Sequence, residues 1–497
     1  LDPIEKTSVI CIGAGPAGLT AAYKLAKTCD VHVLEADPRD VGGISRTIVQ
    51  NGFCFDIGGH RFFSKSTEVV ALWHEILGHD FMRRHRKSRI FYNGKFYPYP
   101  LDLWRTLANL GAVESIVCGL SYLVARLRPC RHPQNFEQWV TNQFGARLFR
   151  IFFKTYTEKV WGMKCTDIAA DWAAQRIKGL SLVSAVGNAL LGSLGIRRNG
   201  AGIKTLIEEF LYPRKGPGMM WQAAAQKITA LGGIVELGCK VDALRYDVAA
   251  GLWQVSYTEV AGGVRKIASA AHVISSMPLK ALVAGLEHVP DTVKAAANSL
   301  RYRDFLIVAL ILKDRQQFDD NWLYIHSPDV KVGRIQNFKA WSPDMVPDPD
   351  RVCYGMEYFC FEGDGLWNSS DAGLVALASR ELVAIGLAAP GEIEAGYVVR
   401  QPKAYPVYDR DYVQHVDTIR QWLAAHCPNL QVVGRNGMHK YNNQDHSMMT
   451  AMLAAENILA GRMQYDVWQV NQDAQYHEQE SAGGQRLVPS PVAGRPA

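Results

Sequence analysis

The hydrophobic pattern opens on a short β-branched run at 8–12 and turns through a glycine-rich stretch at 13–18. It continues as a helix over 19–27 and a second strand over 31–34 that ends in Glu35. Strand, helix and strand in that order form a βαβ unit, so these strands belong to a parallel sheet. From 91 to 200, tryptophan, phenylalanine, leucine and alanine recur at helix spacing, which predicts a largely helical region. A break at 213–218 precedes a helix over 219–230, strands at 234–246 and 253–258, and a buried run at 272–274 that ends at Pro278. The unbroken run 305–313 (FLIVALILK) has the length and composition of a fully buried strand. A further strand is expected at 353–361, and 432–434 leads into the last long helix at 446–460. The tail after Tyr476, rich in Gly, Pro, Ser and Gln, predicts disorder. No internal repeat is visible.

The chain has 497 residues, which at about 100–200 residues per domain implies several domains and a large core. With 48% apolar and 21% charged residues it is globular, neither disordered nor fibrous. Its 54 basic against 48 acidic residues leave +6, too small and too dispersed to indicate nucleic acid. Ten cysteines without a CxxC pair read as reduced thiols of a cytoplasmic protein, with no disulfide framework and no zinc site. No signal-peptide pattern precedes the first strand. Two apolar stretches raise the question of a membrane. The one at 116–125 is too short to span and is closed by Glu114 and Arg126, while 180–196 is uncharged but interrupted by Gly187, Asn188, Gly192 and Gly195. No span is expected. The reading for both is a buried or loop-forming segment, and the alternative is a patch resting on a membrane surface with Arg126, Arg128 and Arg131 facing phosphates.

Gly13, Gly15 and Gly18 stand in G-x-G-x-x-G spacing between the two strands. The first glycine makes the tight turn, the second admits a pyrophosphate to the backbone, and the third lets helix and strand pack closely. The helix N-terminus offers free N–H groups to phosphate, and Glu35 can accept both ribose hydroxyls. A second glycine-rich loop with a cation, 41–47 (VGGISRT), follows at once and favours an extended dinucleotide such as FAD over NAD.

With these loops the chain resembles the flavoprotein superfamily of amine oxidases, protoporphyrinogen oxidase, phytoene desaturases and UDP-galactopyranose mutase. The C-terminal match is Gly434, Arg435, Asn436 and Gly437, with Tyr441 and Asp445 before the final helix. The segments 56–63 (DIGGHRFF), 89–101 (RIFYNGKFYPYPL, a short hairpin and proline turn), 152–162 (FFKTYTEKVWG) and 332–335 (VGRI), with Arg176 and Tyr405–Pro406, are similar to the mutases in particular. The resemblance implies FAD, active in its reduced form, held by Gly13, Gly15, Ala17, Gly18, Glu35, Gly42, Gly43, Ser45, Arg46, Gly59, His60, Val241, Gly437, Asn443, Asp445 and His446. It implies a nucleotide- or lipid-linked sugar bound by Phe152, Tyr156, Trp161, Arg176, Arg334 and Tyr405, with His60, Arg334 and Tyr405 as catalytic residues. The implied reaction is a redox-neutral ring rearrangement through flavin N5, with NAD(P)H a candidate external reductant. The alternative is a net oxidoreductase of the amine oxidase, desaturase or sugar dehydrogenase type.

The chain departs from the mutases where their second diphosphate arginine falls at Leu180 and their phosphate-binding tyrosine at Asn443, which points away from UDP-galactose toward another activated sugar. Plainer readings stand beside these. His60 suits a loop histidine bonded to backbone, Tyr156 and Trp161 suit core aromatics, and Arg176 suits a surface or salt-bridged arginine. Arg334 sits in a short apolar strand, where a buried unpaired charge would be costly. Asp445 and His446 lack metal-site spacing, and Asp445 reads as the cap of the final helix. The run 83–87 (RRHRK) reads as a solvated loop face. The expected fold is α/β: a Rossmann-like FAD-binding domain of the glutathione reductase type from 1–90, 205–285 and 425–465, a helical domain over 91–204, an antiparallel β-sheet substrate domain over 286–424, and a disordered tail at 476–497.

Overall fold

The computed structural model describes residues 7–99, 101, 103–170, 208–471, 489 and 495–496. The opening unit is the strand Ser8–Ile12 (β1), the helix Pro16–Leu25 (α1) and the strand Asp30–Leu34 (β2). The helix starts earlier than its apolar pattern because Pro16, with φ already fixed and no N–H to satisfy, suits the first helical position. β1 is the middle of five parallel strands, in the order Leu430–Val432, His272–Ser275, β1, β2, Ile234–Glu236. Every β1 residue after Ser8 is buried, since parallel strands are covered on both faces. One core unites β1 with α1, the helices Gly218–Ala230 and Gln444–Leu459, and the antiparallel meander Cys239–Asp247, Leu252–Glu259, Arg265–Ala270. The strand expected at 234–246 is two strands: the apolar pattern runs on through a corner at Gly238, φ +70°, where the chain leaves the parallel sheet for the meander.

A second, seven-stranded sheet runs Ile393–Pro406, Tyr302–Lys313, Arg351–Cys360, Arg334–Asn337, Trp322–Ile325, Ser88–Tyr92, Lys95–Pro98. Tyr302–Lys313 is buried on both faces, as its unbroken apolar run predicts. Leu306, Val308, Leu310 and Leu312 meet the helix Asp371–Ile385. Phe305, Ile307, Ala309 and Ile311 join Trp161, Phe338 and Tyr405 on the other side, the two-residue alternation of a strand.

The hairpin Ser88–Tyr92 and Lys95–Pro98 turns on Asn93 and Gly94, both at positive φ, so helix begins only at Leu103. The helices Leu103–Leu110, Ala112–Leu127, Phe136–Phe144 and Thr155–Trp161 follow, the last continuing from a π-helical turn, Arg150–Lys154. The basic run at 83–87 is not a solvated loop. Phe81–His85 is a strand paired with Glu209–Pro213; its alternation turns Arg84 inward onto the Ala340 carbonyl at 2.7 Å and leaves Arg83 and His85 outside beside Glu209. Of the tail expected to be disordered, all but 489, 495 and 496 lies outside the described residues.

Candidate functional site

The first glycine turn is dictated by crowding. Gly13 has φ +94°, and a Cβ on Gly18 would overlap the Gly13 carbonyl oxygen, so only glycine lets α1 approach β1 this closely. Gly15 precedes α1, and the nearest atom to a Cβ placed there is Gly43 Cα at 3.9 Å, which leaves room at the helix N-terminus. The second loop is drawn against the first, Gly42 N–H donating to Ala14 O at 2.7 Å, and it runs through the short turn Gly43–Ser45 to Arg46. Arg46 donates to Gly43 O at 2.9 Å and to Gln401 Oε1 at 2.8 Å, which ties this loop to the antiparallel sheet. Glu35 accepts from the N–H groups of Ala14 at 2.5 Å and Asp37 at 2.9 Å; burial raises its carboxyl pKa in spite of both bonds. Its carbonyl accepts from Cys239 N–H at 2.7 Å, which brings the strand carrying Val241 beside it.

At the other end, Gly434–Gly437 forms one turn next to Ala17 and Ser275. The final helix is capped by Asn443, not by Asp445 as its sequence suggested: Asn443 and His446 form a reciprocal capping box, while Asp445 accepts from Ser64 Oγ at 3.0 Å. Both are acceptors for backbone N–H by residue type; the difference of two positions is set by where the chain turns. An extended dinucleotide fits this crevice. Arg46 Nε and both amide atoms of Gln444 are buried without a hydrogen-bond partner among the described residues, an arrangement that costs free energy unless a polar ligand completes it.

His60, Arg334 and Tyr405 converge beside these loops. A Cβ on Gly58 would lie 3.7 Å from His60 Nε2 and 4.0 Å from Tyr405 Oη, and Arg334 Nη2 donates to Tyr405 Oη at 3.4 Å. Arg334 is ion-paired with the fully buried Glu357 on the adjacent strand, whose other oxygen accepts from Gln336 Nε2 at 2.5 Å. Tyr405 reaches this point through a bulge. Arg303 pairs with Tyr405 and Phe305 with Gln401, so Asp304 alone faces 402–404, with Lys403 at φ +53°. Asp304 holds the bulge by accepting from the N–H groups of Lys403 and Glu362, each at 2.6 Å. Tyr441 stacks on Tyr405 at 5.7 Å, and the Arg435 guanidinium lies 5.1 and 5.0 Å from the two ring centres. Arg435 donates to the carbonyls of Asn442 and Ala404 and has no carboxylate partner among the described residues.

Trp161 closes this wall, 6.4 Å from Tyr405 and 6.1 Å from Tyr441. Tyr156 stacks on His326 at 4.7 Å and meets Tyr324 edge-on at 5.6 Å. Lys159 bolts their helix to the sheet by donating to the carbonyls of Ile325, Ser327 and Val332. Phe152 is packed inside a small core with Tyr97 and Ile151, at the back of the wall, with its ring 6.5 Å from that of His326. Arg176 and Leu180 lie outside the described residues.

Burial, aided by the nearby charges of Arg435 and Arg334 and opposed by the bond to Ile57 O, pushes the His60 pKa down to about 4. His60 is therefore neutral, with its proton on Nε2, because Ile57 O, 2.8 Å away, can only accept. Burial disfavours the Arg334 charge, but Glu357 overrides it and holds the guanidinium protonated. Burial keeps both Tyr156 and Tyr405 above the ordinary phenol value, Tyr405 in spite of Arg334. Glu357, His326 and Gln444 were not singled out from sequence, and Arg435 was named only as part of the C-terminal glycine motif, without a role in the wall. Glu357 carried a usable signal, a charged residue inside an otherwise apolar run at 352–360. His326 and Gln444 carried none.

Known proteins resemble this chain in sequence and in fold. A family model described as flavin containing amine oxidoreductase matches residues 16–382. A stretch of 73 residues, 14% of this chain and 14% of the relative, is 40% identical to protoporphyrinogen oxidase 2, chloroplastic/mitochondrial, of Arabidopsis thaliana. A stretch of 147 residues, 27% of this chain and 30% of the relative, is 32% identical to putrescine oxidase of Kocuria rosea. The matched segments thus span less than a third of these relatives. The fold as a whole is similar to the crystal structure of reduced UDP-galactopyranose mutase, with TM-score 0.77 and 22% identity over 92% of this chain and 94% of that one.

Proposed function

The chain belongs to the family of flavin containing amine oxidoreductases, and within that family of flavoenzymes we propose a redox-neutral, mutase-like rearrangement of an activated sugar. FAD is the cofactor. Gly13, Gly15, Ala17, Gly18 and Glu35 would hold its adenosine half, with Val241 at the adenine; Gly42, Gly43, Ser45 and Arg46 would hold its pyrophosphate. Gly59, His60, Gly437, Asn443, Asp445 and His446 would bound the ring. Bound in its reduced form, FAD supplies an electron-rich N5 for attack at an anomeric carbon.

One observation carries the proposal: the wall beside His60 is cationic. Among the described residues Arg435 hydrogen-bonds only to carbonyls and has no carboxylate partner, and Arg334 stays charged against Glu357. Such a wall repels an ammonium substrate and attracts a diphosphate, which a planar guanidinium can engage with two parallel bonds. Tyr405 keeps its proton and can donate to a substrate oxygen, while neutral His60 adds no further charge at the ring end. Trp161 and Tyr156 offer ring faces to a base or a sugar. Asn443 is engaged in capping the last helix, so the carrier is an activated group other than the one the mutases take, a different nucleotide or a lipid diphosphate. Electrons to reduce the flavin would come from outside the site, with NAD(P)H one candidate donor.

The test is anaerobic incubation of dithionite-reduced enzyme with a panel of nucleoside diphosphate sugars and lipid diphosphate sugars. An isomeric product with no net change in flavin redox state is expected. Turnover that requires oxygen, or that consumes flavin reducing equivalents one for one, overturns the proposal in favour of net oxidation. Arg435→Gln should raise KM for the diphosphate substrate at least tenfold.

A further inference from the structure

The helix Ala112–Leu127 is built inside out. Its small and polar residues face the protein: Cys118 and Ala125 are buried, Ser115 donates to the carbonyls of Leu107 and Gly111, and Ser121 accepts from Arg147 N–H at 3.0 Å. Its large aliphatic residues face outward. Val113, Ile116, Leu120, Leu123, Val124 and Leu127, with Val117 among them, are 41% to 81% exposed. Their three- and four-residue spacing puts them on one stripe along the helix, the face a surface helix ordinarily turns inward. Single exposed aliphatic residues are unremarkable, but a continuous stripe marks an interaction surface.

The charges around the stripe select the partner. Arg126, Arg128 and Arg131 are exposed at its C-terminal end and have no ion pair among the described residues; Arg126 donates only to Tyr122 Oη. The one acid on the helix, Glu114, is committed to Arg147. In a two-fold pairing of this stripe with a second copy, the arginine rim would therefore meet no free carboxylate on the facing helix. A layer of phosphates supplies the missing counter-charge, and its acyl boundary receives the aliphatic side chains. At 16 residues the helix is about 24 Å long, suited to lie in an interface; no helix among the described residues is long and apolar enough to cross a membrane.

We propose that the Ala112–Leu127 stripe and its arginine rim dock this enzyme onto an anionic lipid bilayer surface. This inference is independent of the reaction proposed above.

The test is flotation of the full-length, FAD-loaded protein with vesicles of 70:30 phosphatidylcholine:phosphatidylglycerol and with pure phosphatidylcholine. The protein should float with the anionic vesicles, bind the neutral ones at least tenfold more weakly, and be released by high salt. Leu120→Asp/Val124→Asp should abolish flotation while leaving the flavin absorbance and thermal midpoint unchanged, because both side chains are already in solvent. Arg126→Gln/Arg128→Gln/Arg131→Gln should remove the preference for anionic lipid, roughly fivefold in affinity per arginine. Failure of the unaltered protein to float overturns the inference, as does flotation that survives both sets of substitutions. A dimer by light scattering that dissociates in Leu120→Asp/Val124→Asp would also overturn it and assign the stripe to a second copy.

Discussion

Arg334 and Glu357 show what a single buried charge pair demands. Glu357 is fully buried, so Arg334→Ala strands a carboxylate in the interior and should cost about 3–5 kcal/mol in urea unfolding. Arg334→Met/Glu357→Leu removes both charges and should recover most of that stability, yet leave activity as low as the single variant. Recovery of activity with stability would show that the pair only holds the strands together. Half of the pair was legible: an arginine inside a short apolar strand signals a partnered charge. Its partner could not be named, because strand pairing and not spacing brings Glu357 opposite Arg334. The neutrality of His60 was likewise out of reach, since it follows from burial and from arginines contributed by two distant segments.

Among the elements, the Ile393–Pro406 strand escaped the hydrophobic pattern and matters most to the site. Most of its residues are only partly buried, and Pro402 interrupts its ladder, so neither alternation nor an apolar run announced it. Its bulge at Lys403 re-aims Tyr405, and a shift of one residue would send that side chain to the opposite face. Asp304→Ala removes the acceptor for two backbone N–H groups and should lower stability by about 1–3 kcal/mol. It should also reduce kcat more than Tyr405→Phe does, because the whole side chain then loses its position. A kcat equal to that of the unaltered enzyme would mean the bulge is only a packing solution. By contrast, the βαβ opening and the Tyr302–Lys313 strand were plain in the sequence, since one is fixed by local turn chemistry and the other by length and composition.

The molecule as a whole carries an acid sensitivity that no segment displays alone. Burial pushes His326 down to about 3 and His439 to about 4, so both are neutral in the folded state and protonate near 6.5 once unfolded. Between those values the unfolded chain binds more protons, so stability is complete above pH 6.5 and falls as pH drops toward 4. Each histidine contributes at most about 1.4 kcal/mol per pH unit. Asp56 opposes this trend. Burial, against its bonds from Tyr212 and Thr47, raises its pKa to about 7, so its contribution is present at low pH and lost as pH rises to 7. His60, also held down to about 4, acts with the two histidines, and Glu35, raised by burial, acts with Asp56; three histidines against two carboxylates leave a net loss on the acid side. Urea unfolding at pH 7 and pH 5 should show it, and His439→Asn, whose amide tolerates the φ of +47°, should flatten the difference. A pH-independent midpoint in the unaltered protein would contradict these burial effects.

The sequence alone determined the dinucleotide turn, the parallel opening of the fold, the central strand of the second sheet and membership of a flavoprotein superfamily. Each of these rests on neighbours in the chain: glycines a few residues apart, or one uninterrupted run of side chains. Tertiary structure alone decided how Arg334 and Arg435 come together in one wall, which histidines stay neutral and which side of the Ala112–Leu127 helix meets solvent. A helical period states that two faces differ and leaves open which is covered, because that depends on the surfaces other segments bring to it.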